Sequence, residues 1–210
     1  MRIQPALRAL PRLAVVASLV GATLAMSGCF PLAATGVAVG TLAAMDRRTI
    51  GAQTEDTGIE VKAAAQLRQQ IPDAGGISVT SFNRKVLLTG QVASEDDKRA
   101  AEAAVAALPN VRSIHNELQV LGRPSLATSA ADTSITARVK AALLDAQDLH
   151  ANVIKVVTES GTVYLMGLVS RREAERAAQV ASRVAGVQRV VTVFEYITEE
   201  EVKRASQPKQ

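Results

Sequence analysis

Residues 163–190 read VYLMGLVSRREAERAAQVASRVAGVQRV, and residues 86–114 read VLLTGQVASEDDKRAAEAAVAALPNVRSI, a second version of the same pattern. The glycines of the two versions are 77 residues apart, whereas the serines that follow them are 76 apart, so the first copy has one extra residue. Self-similarity at a fixed spacing is typical of a repeated structural unit. The chain therefore contains two copies of one module. The copies span residues 59–120 and 132–197.

A helix opens each module, because apolar residues recur at every fourth position and therefore share one helix face. These residues are Ile59, Ala63 and Leu67 in the first copy and Ile135, Val139 and Leu143 in the second. An alanine-rich helix follows later in each copy. Its start is indicated by a serine with an acidic residue three positions further on. The two pairs are Ser94 with Asp97 and Ser170 with Glu173.

Three strands complete each module. Two β-branched segments joined by a turn predict a hairpin, with the turns at residues 83–85 and 159–162. A last strand follows the alanine-rich helix, at residues 113–120 and 189–197. The order αββαβ predicts an α+β fold of two tandem modules, each a three-stranded mixed sheet with two helices on one face. Because each copy has its own core stripe, we expect the two modules to fold separately.

The N-terminus has the organisation of an export signal. Three arginines precede an apolar run at residues 13–26, and the small residues Ser27 and Gly28 precede Cys29. The run has 14 residues, fewer than the roughly 20 that cross a bilayer, so it predicts a removable signal peptide. The tetrapeptide that ends in Cys29 resembles the bacterial lipobox, which implies that this cysteine is lipid-modified. The alternative is an ordinary signal peptide followed by a chance cysteine.

Cys29 is the single cysteine of the chain, so it cannot form an internal disulfide or a cysteine metal cluster. The three arginines of the signal are its only charges, so cleavage before Cys29 lowers the net charge from +4 to +1. With three Phe, two Tyr and no Trp, the chain also lacks the aromatic residues of a nucleic-acid surface, and we expect no nucleic-acid partner. Phe30 follows the cysteine. Retention of lipoproteins at the inner membrane typically depends on Asp there, so the lipobox resemblance implies the outer membrane, facing the periplasm.

The sequence does not predict an enzyme. Its two histidines, His115 and His150, fall in different modules, and no metal-binding or phosphate-binding motif accompanies them. We therefore expect no catalytic residues, no metal and no cofactor. His115 is expected to be an ordinary strand residue and His150 to lie in a solvated loop.

The two αββαβ copies, each with a strand-ending glycine in VLLTGQV or VYLMGLV, resemble BON domains. The whole chain resembles the dual-BON outer-membrane lipoproteins of the DolP (YraP) type. That resemblance implies phospholipid binding by the second BON domain, support of outer-membrane integrity, and a location at division sites. Outside the modules, the expected segments are a lipoprotein signal peptide at 1–28, a lipidated tether and linker at 29–58, a linker at 121–131 and a charged C-terminal tail at 198–210.

The opening helix of the second module has an apolar residue on its outer face. Leu144 lies half a turn away from Ile135 and the core stripe, with Arg138 and Lys140 on its flanks. An exposed apolar strip bordered by cations suits an anionic membrane surface. In the first module the equivalent position is Arg68. The predicted phospholipid-binding residues are Ser134, Arg138, Lys140, Ala141 and Leu144.

Two classes of function remain open from these residues. The first is a lipid-tethered module that binds anionic phospholipid. The second is a protein adaptor whose surfaces dock on an outer-membrane assembly machine or a cell-wall enzyme. In the same way, Leu144 could instead pack against the other module or against the linker.

Overall fold

The computed structural model describes residues 46–71, 74–121 and 126–205. The predicted signal peptide and Cys29 lie outside these residues. The helices and strands of the first module are α1 (Ile50–Gln70), β1 (Ile77–Phe82), β2 (Lys85–Val92), α2 (Glu95–Ala106), β3 (Ser113–Asn116) and β4 (Gln119–Val120). Those of the second module are α3 (Leu126–Asp145), β5 (Ile154–Glu159), β6 (Thr162–Val169), α4 (Arg171–Ser182), β7 (Arg189–Tyr196) and the terminal α5 (Glu199–Ala205).

Both modules have the predicted α+β architecture. In the first, β1 pairs antiparallel with β2, and β2 pairs parallel with β3 and β4. In the second, β6 is likewise central, antiparallel to β5 and parallel to β7. The two helices of each module cover one face of its mixed sheet. The apolar stripes predicted for the opening helices are buried there, in separate cores.

The observed elements extend beyond the predicted boundaries at several places. Helix α1 begins at Ile50, where Thr49 caps it by accepting the backbone N–H of Ala52, so residues 50–58 are helical and not part of a linker. Helix α3 begins at Leu126, within the predicted linker. The predicted tail contains α5, whose first turn is capped by Thr198 and Glu201.

The last strand of the first module is interrupted, whereas a single strand was predicted. It forms β3 and β4, with Glu117 and the buried Leu118 between them. Opposite this break, Gly90 of β2 has a φ of 109°, which takes its backbone out of the extended conformation. The second module has no such break, because β7 pairs with β6 over all eight of its residues.

A buried carboxylate joins the opening helix of each module to its hairpin turn. Asp56 of α1 accepts the backbone N–H groups of Asn83 and Arg84, each at 2.7 Å. Asp132 of α3 accepts those of the second turn, from Ser160 and Gly161, each at 2.8 Å. These bonds satisfy turn donors that the sheet leaves unpaired. The sequence analysis did not identify the two aspartates, although they lie 76 residues apart like other matched pairs of the repeat.

The helix-free faces of the two sheets pack against each other. Five buried side chains from both modules form this third core, with partly buried apolar neighbours around them. They are Phe82, Leu87, Tyr164, Met166 and Val193. Polar contacts surround it, including Lys155 Nζ to Glu60 Oε1 at 3.0 Å and Asn83 Nδ2 to Glu195 Oε2 at 2.9 Å. Independent folding of the modules stays a prediction, but an isolated second module would expose the side chains that this core buries.

A glycine near the end of the central strand of each module, and not at its end as predicted, is required by a close backbone approach. At Gly167 a Cβ atom would lie 2.7 Å from the carbonyl oxygen of Val153, which precedes β5. At Gly90 a Cβ atom would overlap the carbonyl oxygen of Gly76, which precedes β1. Both obstacles are backbone atoms, and the positive φ of Gly90 adds strain for any other residue.

Replacing Gly90 with alanine should destabilise the protein by about 3 kcal/mol, because the strained φ and the overlap act together. The matched control is Gly58→Ala in α1, where a Cβ atom would meet no heavy atom within 4 Å. That variant should be more stable than the wild type by about 0.5–1 kcal/mol, since alanine has the better helix propensity. Urea unfolding followed by circular dichroism measures both. Equal stability of Gly90→Ala and wild type would contradict the steric argument.

Candidate membrane-binding site

The outer face of α3 presents the predicted apolar residue to solvent. The Leu144 side chain is 63% exposed, and Lys140 and Ala141 beside it are also exposed. Within the part of the chain that the structure describes, Leu144 therefore does not pack against the first module, as one alternative proposed. The side chains of this face are accessible to a ligand.

The structure divides the predicted binding residues between two neighbouring grooves. Ser134 and Arg138 line a groove that also includes the hairpin turn at residues 160–161 and the loop at 186–188. Lys140 and Leu144 line another at the C-terminal end of α3, with Leu143, Ala151, Asn152 and Ile154. The exposed Ala141 lies between the two pairs along the helix.

The two cations of the site differ in whether other residues already bind them. Arg138 Nη1 donates to Ser134 Oγ at 2.6 Å, and its Nη2 donates to the carbonyl oxygen of Ala185 at 3.0 Å. These bonds hold the guanidinium against the loop that follows α4. Lys140 has no ion-pair partner among residues 46–71, 74–121 and 126–205, so its ammonium group is the more available of the two for an anionic ligand.

The first module has an exposed apolar residue that the sequence analysis missed. Val61 of α1 is 66% exposed, at the repeat position of Ala137. Arg68, the equivalent of Leu144, is exposed as expected. The two outer faces therefore differ in where they expose aliphatic side chains, at Ile50 and Val61 on α1 and at Leu144 near the end of α3. The helical spacing already put Val61 outside the core stripe, which is the signal that could have identified it.

A buried ion pair connects the start of the described chain to the second module. Arg47 donates from Nη1 to Glu173 Oε2 at 2.7 Å and from Nη2 to Glu173 Oε1 at 2.8 Å. Arg47 Nη1 also donates to the carbonyl oxygen of Leu168 at 2.8 Å. The two charged side chains are only 3% and 1% exposed. Sequence reasoning gave Glu173 a capping role alone and did not single out Arg47.

Glu173 also completes the capping box of α4, by accepting the backbone N–H of Ser170 at 3.0 Å. Its Oε1 lies 3.2 Å from Nδ1 of the largely exposed His150, which is in the loop where it was expected. Burial by itself raises the pKa of Glu173. The hydrogen bonds from Arg47 and Ser170 and the charge of Arg47 outweigh burial and lower that pKa to about 2.

Arg48, the neighbour of Arg47, binds the first module. Its Nη1 donates to Asp56 Oδ2 at 2.7 Å, and its guanidinium lies 4.0 Å from the ring centre of Phe82. Asp46 accepts from the same guanidinium at 2.7 Å. Two consecutive arginines thus contact different modules. We call residues 46–48 the strap.

The described residues contain no group of three His, Cys, Asp or Glu side chains that could hold a metal ion. His115 lies in β3 with its side chain exposed, as an ordinary strand residue. Partial desolvation of the ring and, to a smaller extent, the charge of Lys85 lower the pKa of His115 below its usual value. In the described ranges, no helix has both the length and the apolar character needed to cross a bilayer.

Comparison with known proteins identifies the modules. A family model described as "BON domain" matches residues 55–122 and 131–198. The chain belongs to the BON-domain family. It is 36% identical to the "Outer membrane lipoprotein DolP" of Haemophilus influenzae over 184 residues, which cover 87% of this chain and 95% of the relative. The chain is a dual-BON protein of the DolP type.

Two other relatives have different names. A "21 kDa hemolysin" of Actinobacillus pleuropneumoniae is 33% identical over 73% of this chain and 80% of its own length. The "Osmotically-inducible protein Y" of Escherichia coli is 32% identical over 67% of this chain and 72% of its own length. We refer to the first and second modules as BON1 and BON2.

Glu173→Gln should lower the stability of the protein at neutral pH by about 3 kcal/mol, because Arg47 is left buried without its charged partner. The folded-state pKa of Glu173 is about 2, below its ordinary value of 4.5. Its contribution is therefore present above pH 4.5 and lost as the pH falls through 2. The stability difference between variant and wild type should shrink over that range.

The matched control is Glu175→Gln, an exposed residue on the same helix, which should leave stability unchanged. Thermal unfolding at several pH values between 2 and 7 measures all three proteins. A Glu173→Gln variant as stable as the wild type at pH 7 would show that the ion pair contributes nothing.

Proposed function

We propose that this protein is an outer-membrane lipoprotein, anchored through Cys29 and facing the periplasm, whose BON2 domain binds anionic phospholipid and supports outer-membrane integrity at division sites. The observation that carries the proposal is the exposed Leu144 beside Lys140, which has no ion-pair partner among the described residues, at the end of α3. Similarity to an outer-membrane lipoprotein over most of the chain supports the location. The BON family and this relative also favour a non-enzymatic envelope protein.

The proposed site is weak by itself. A cation close to an anionic surface contributes about 1 kcal/mol, and that contribution decreases within a Debye length. Burial of a leucine side chain contributes roughly 1.5–3 kcal/mol at most. Because an anchor at Cys29 would hold BON2 close to the bilayer, at an effective concentration that can approach the millimolar range, a weak site is sufficient.

A second candidate function is a protein adaptor that docks on an outer-membrane assembly machine or a cell-wall enzyme. It is favoured by the exposed aliphatic residues of α1, Ile50 and Val61, which belong to BON1 and not to the proposed lipid site. A vesicle-binding experiment without any partner protein separates the two functions.

Leu144→Glu should abolish flotation of the untethered chain, residues 46–210, with anionic vesicles, because it replaces the inserted apolar group with a repelled charge. Folding should be unaffected, since the side chain is exposed and outside the core. The matched control is Val61→Glu on α1, which makes the same kind of change on the outer face of BON1 and should leave flotation intact. Equal flotation of Leu144→Glu and wild type, or none for wild type, would favour the adaptor.

Cys29→Ala should give a folded protein that is lost from the outer-membrane fraction, because the side chain that would carry the lipid is lost. Stable attachment requires more than one membrane signal, and a single weak surface site does not provide it. Fractionation of the envelope, with detection of the mature chain, measures the distribution. Wild-type protein in the soluble fraction would count against the anchor at Cys29.

A further inference from the structure

We infer that the ion pair between Arg47 and Glu173 is an orienting clamp, which makes the membrane tether leave the protein beside the lipid-contacting end of BON2. The inference rests on the proposed anchor at Cys29 and on the proposed lipid site. It assigns a positioning role to two residues that lie outside that site.

The clamp joins parts of the chain that are distant in sequence. Arg47 precedes α1 of BON1 by three residues, yet its guanidinium is held by Glu173 and by the carbonyl oxygen of Leu168, both in BON2. The Arg47 side chain is 3% exposed and makes three hydrogen bonds of 2.7–2.8 Å. Its position is therefore fixed by BON2, although the chain that follows it enters BON1.

Glu173 lies next to the groove of the proposed lipid site. Its second contact is His150, at 3.2 Å, and His150 is directly followed by Ala151 and Asn152. Those two residues line the groove at the C-terminal end of α3, together with Lys140 and Leu144. Arg47, where the tether joins the folded part of the protein, and the exposed Leu144 therefore lie at the same end of BON2.

This placement determines where the tether leaves the folded part of the protein. From Cys29 to Arg47 the chain advances 18 residues, which span at most about 60 Å when fully extended. A bilayer that holds Cys29 is thus within this distance of the clamp, and the tether approaches the folded part from beside the end of BON2 that carries Lys140 and Leu144. A buried ion pair adds little net stability compared with apolar packing, so its main effect is to fix geometry.

The test uses the mature, acylated protein in vesicles that contain anionic phospholipid and spin-labelled lipid. A fluorophore is attached at Gln147→Cys, an exposed position less than one turn beyond Leu144. A reference fluorophore is attached at Ala106→Cys, the exposed last residue of α2 in BON1. Acylated Cys29 has no free thiol, so the introduced cysteine is the single labelling site. Quenching by the spin-labelled lipid reports contact with the bilayer.

In the wild type, quenching should be strong at position 147 and weak at position 106. Arg47→Gln should reduce quenching at 147 at least twofold. The same substitution should leave vesicle flotation of the untethered chain unchanged, because the lipid site is intact. Arg47→Lys keeps the charge but not the bidentate geometry, and should give intermediate quenching. It also serves as the test if Arg47→Gln does not fold.

Unchanged quenching at 147 in both Arg47 variants would overturn the clamp while leaving the lipid site in place. If an Arg47 variant loses vesicle flotation of the untethered chain to the same extent as it loses quenching of the tethered protein, the ion pair has only a structural role. If the untethered wild type does not bind vesicles at all, the proposed function fails, and the clamp fails with it.

Discussion

Each sheet of this protein has the two core helices of its module on one face, and the other face carries large buried apolar side chains, Phe82 and Leu87 in BON1 and Tyr164, Met166 and Val193 in BON2. The structure resolves this by packing the two uncovered faces together around Leu87, Tyr164 and Met166. A three-stranded sheet covered on one side cannot bury both faces by itself, because alternate residues of a strand point to opposite sides. The second copy of the module provides the missing cover. The exposed outer face of α3 depends on this arrangement, since the helices remain on the outside.

The repeat is not symmetric at this interface. Met166 of BON2 corresponds to Thr89 of BON1, and both are buried. At this repeat position BON1 thus has a buried polar side chain and BON2 a buried apolar one. Two of the ion pairs between distant parts of the chain are also not repeated, Lys155 with Glu60 and Arg47 with Glu173. The two copies have diverged into complementary partners, one of which also presents the exposed Leu144 on its opening helix.

Structural features that follow from a repeating pattern of neighbouring residues could be predicted from the sequence. Helical spacing identified Ile135, Val139 and Leu143 as core, and the same spacing put Leu144 on the exposed face. The capping box of α4 was likewise readable from Ser170 and Glu173, three residues apart. These features depend on residues close together in the chain, which a periodic pattern describes directly.

Contacts between distant residues were not predictable in this way. Arg47 and Glu173 are 126 residues apart, and no spacing rule pairs them. Residues 46–48, the strap, were predicted to belong to the tether because they precede the apolar stripe of the first opening helix. The packing of the two sheets against each other was also not predictable. Apolar residues at alternate strand positions predict that a sheet face is buried, but they do not identify the element that buries it.

The glycines of the two central strands restrict how such a chain can change over time. A side chain at Gly90 or Gly167 would meet a carbonyl oxygen of the main chain. Shortening a neighbouring side chain gives no relief, because every residue type carries that oxygen. A substitution at either glycine therefore has no simple second-site suppressor, whereas an enlarged core residue can be accommodated by a smaller neighbour. Among random variants that lose and then regain stability, true reversion should predominate at these two positions.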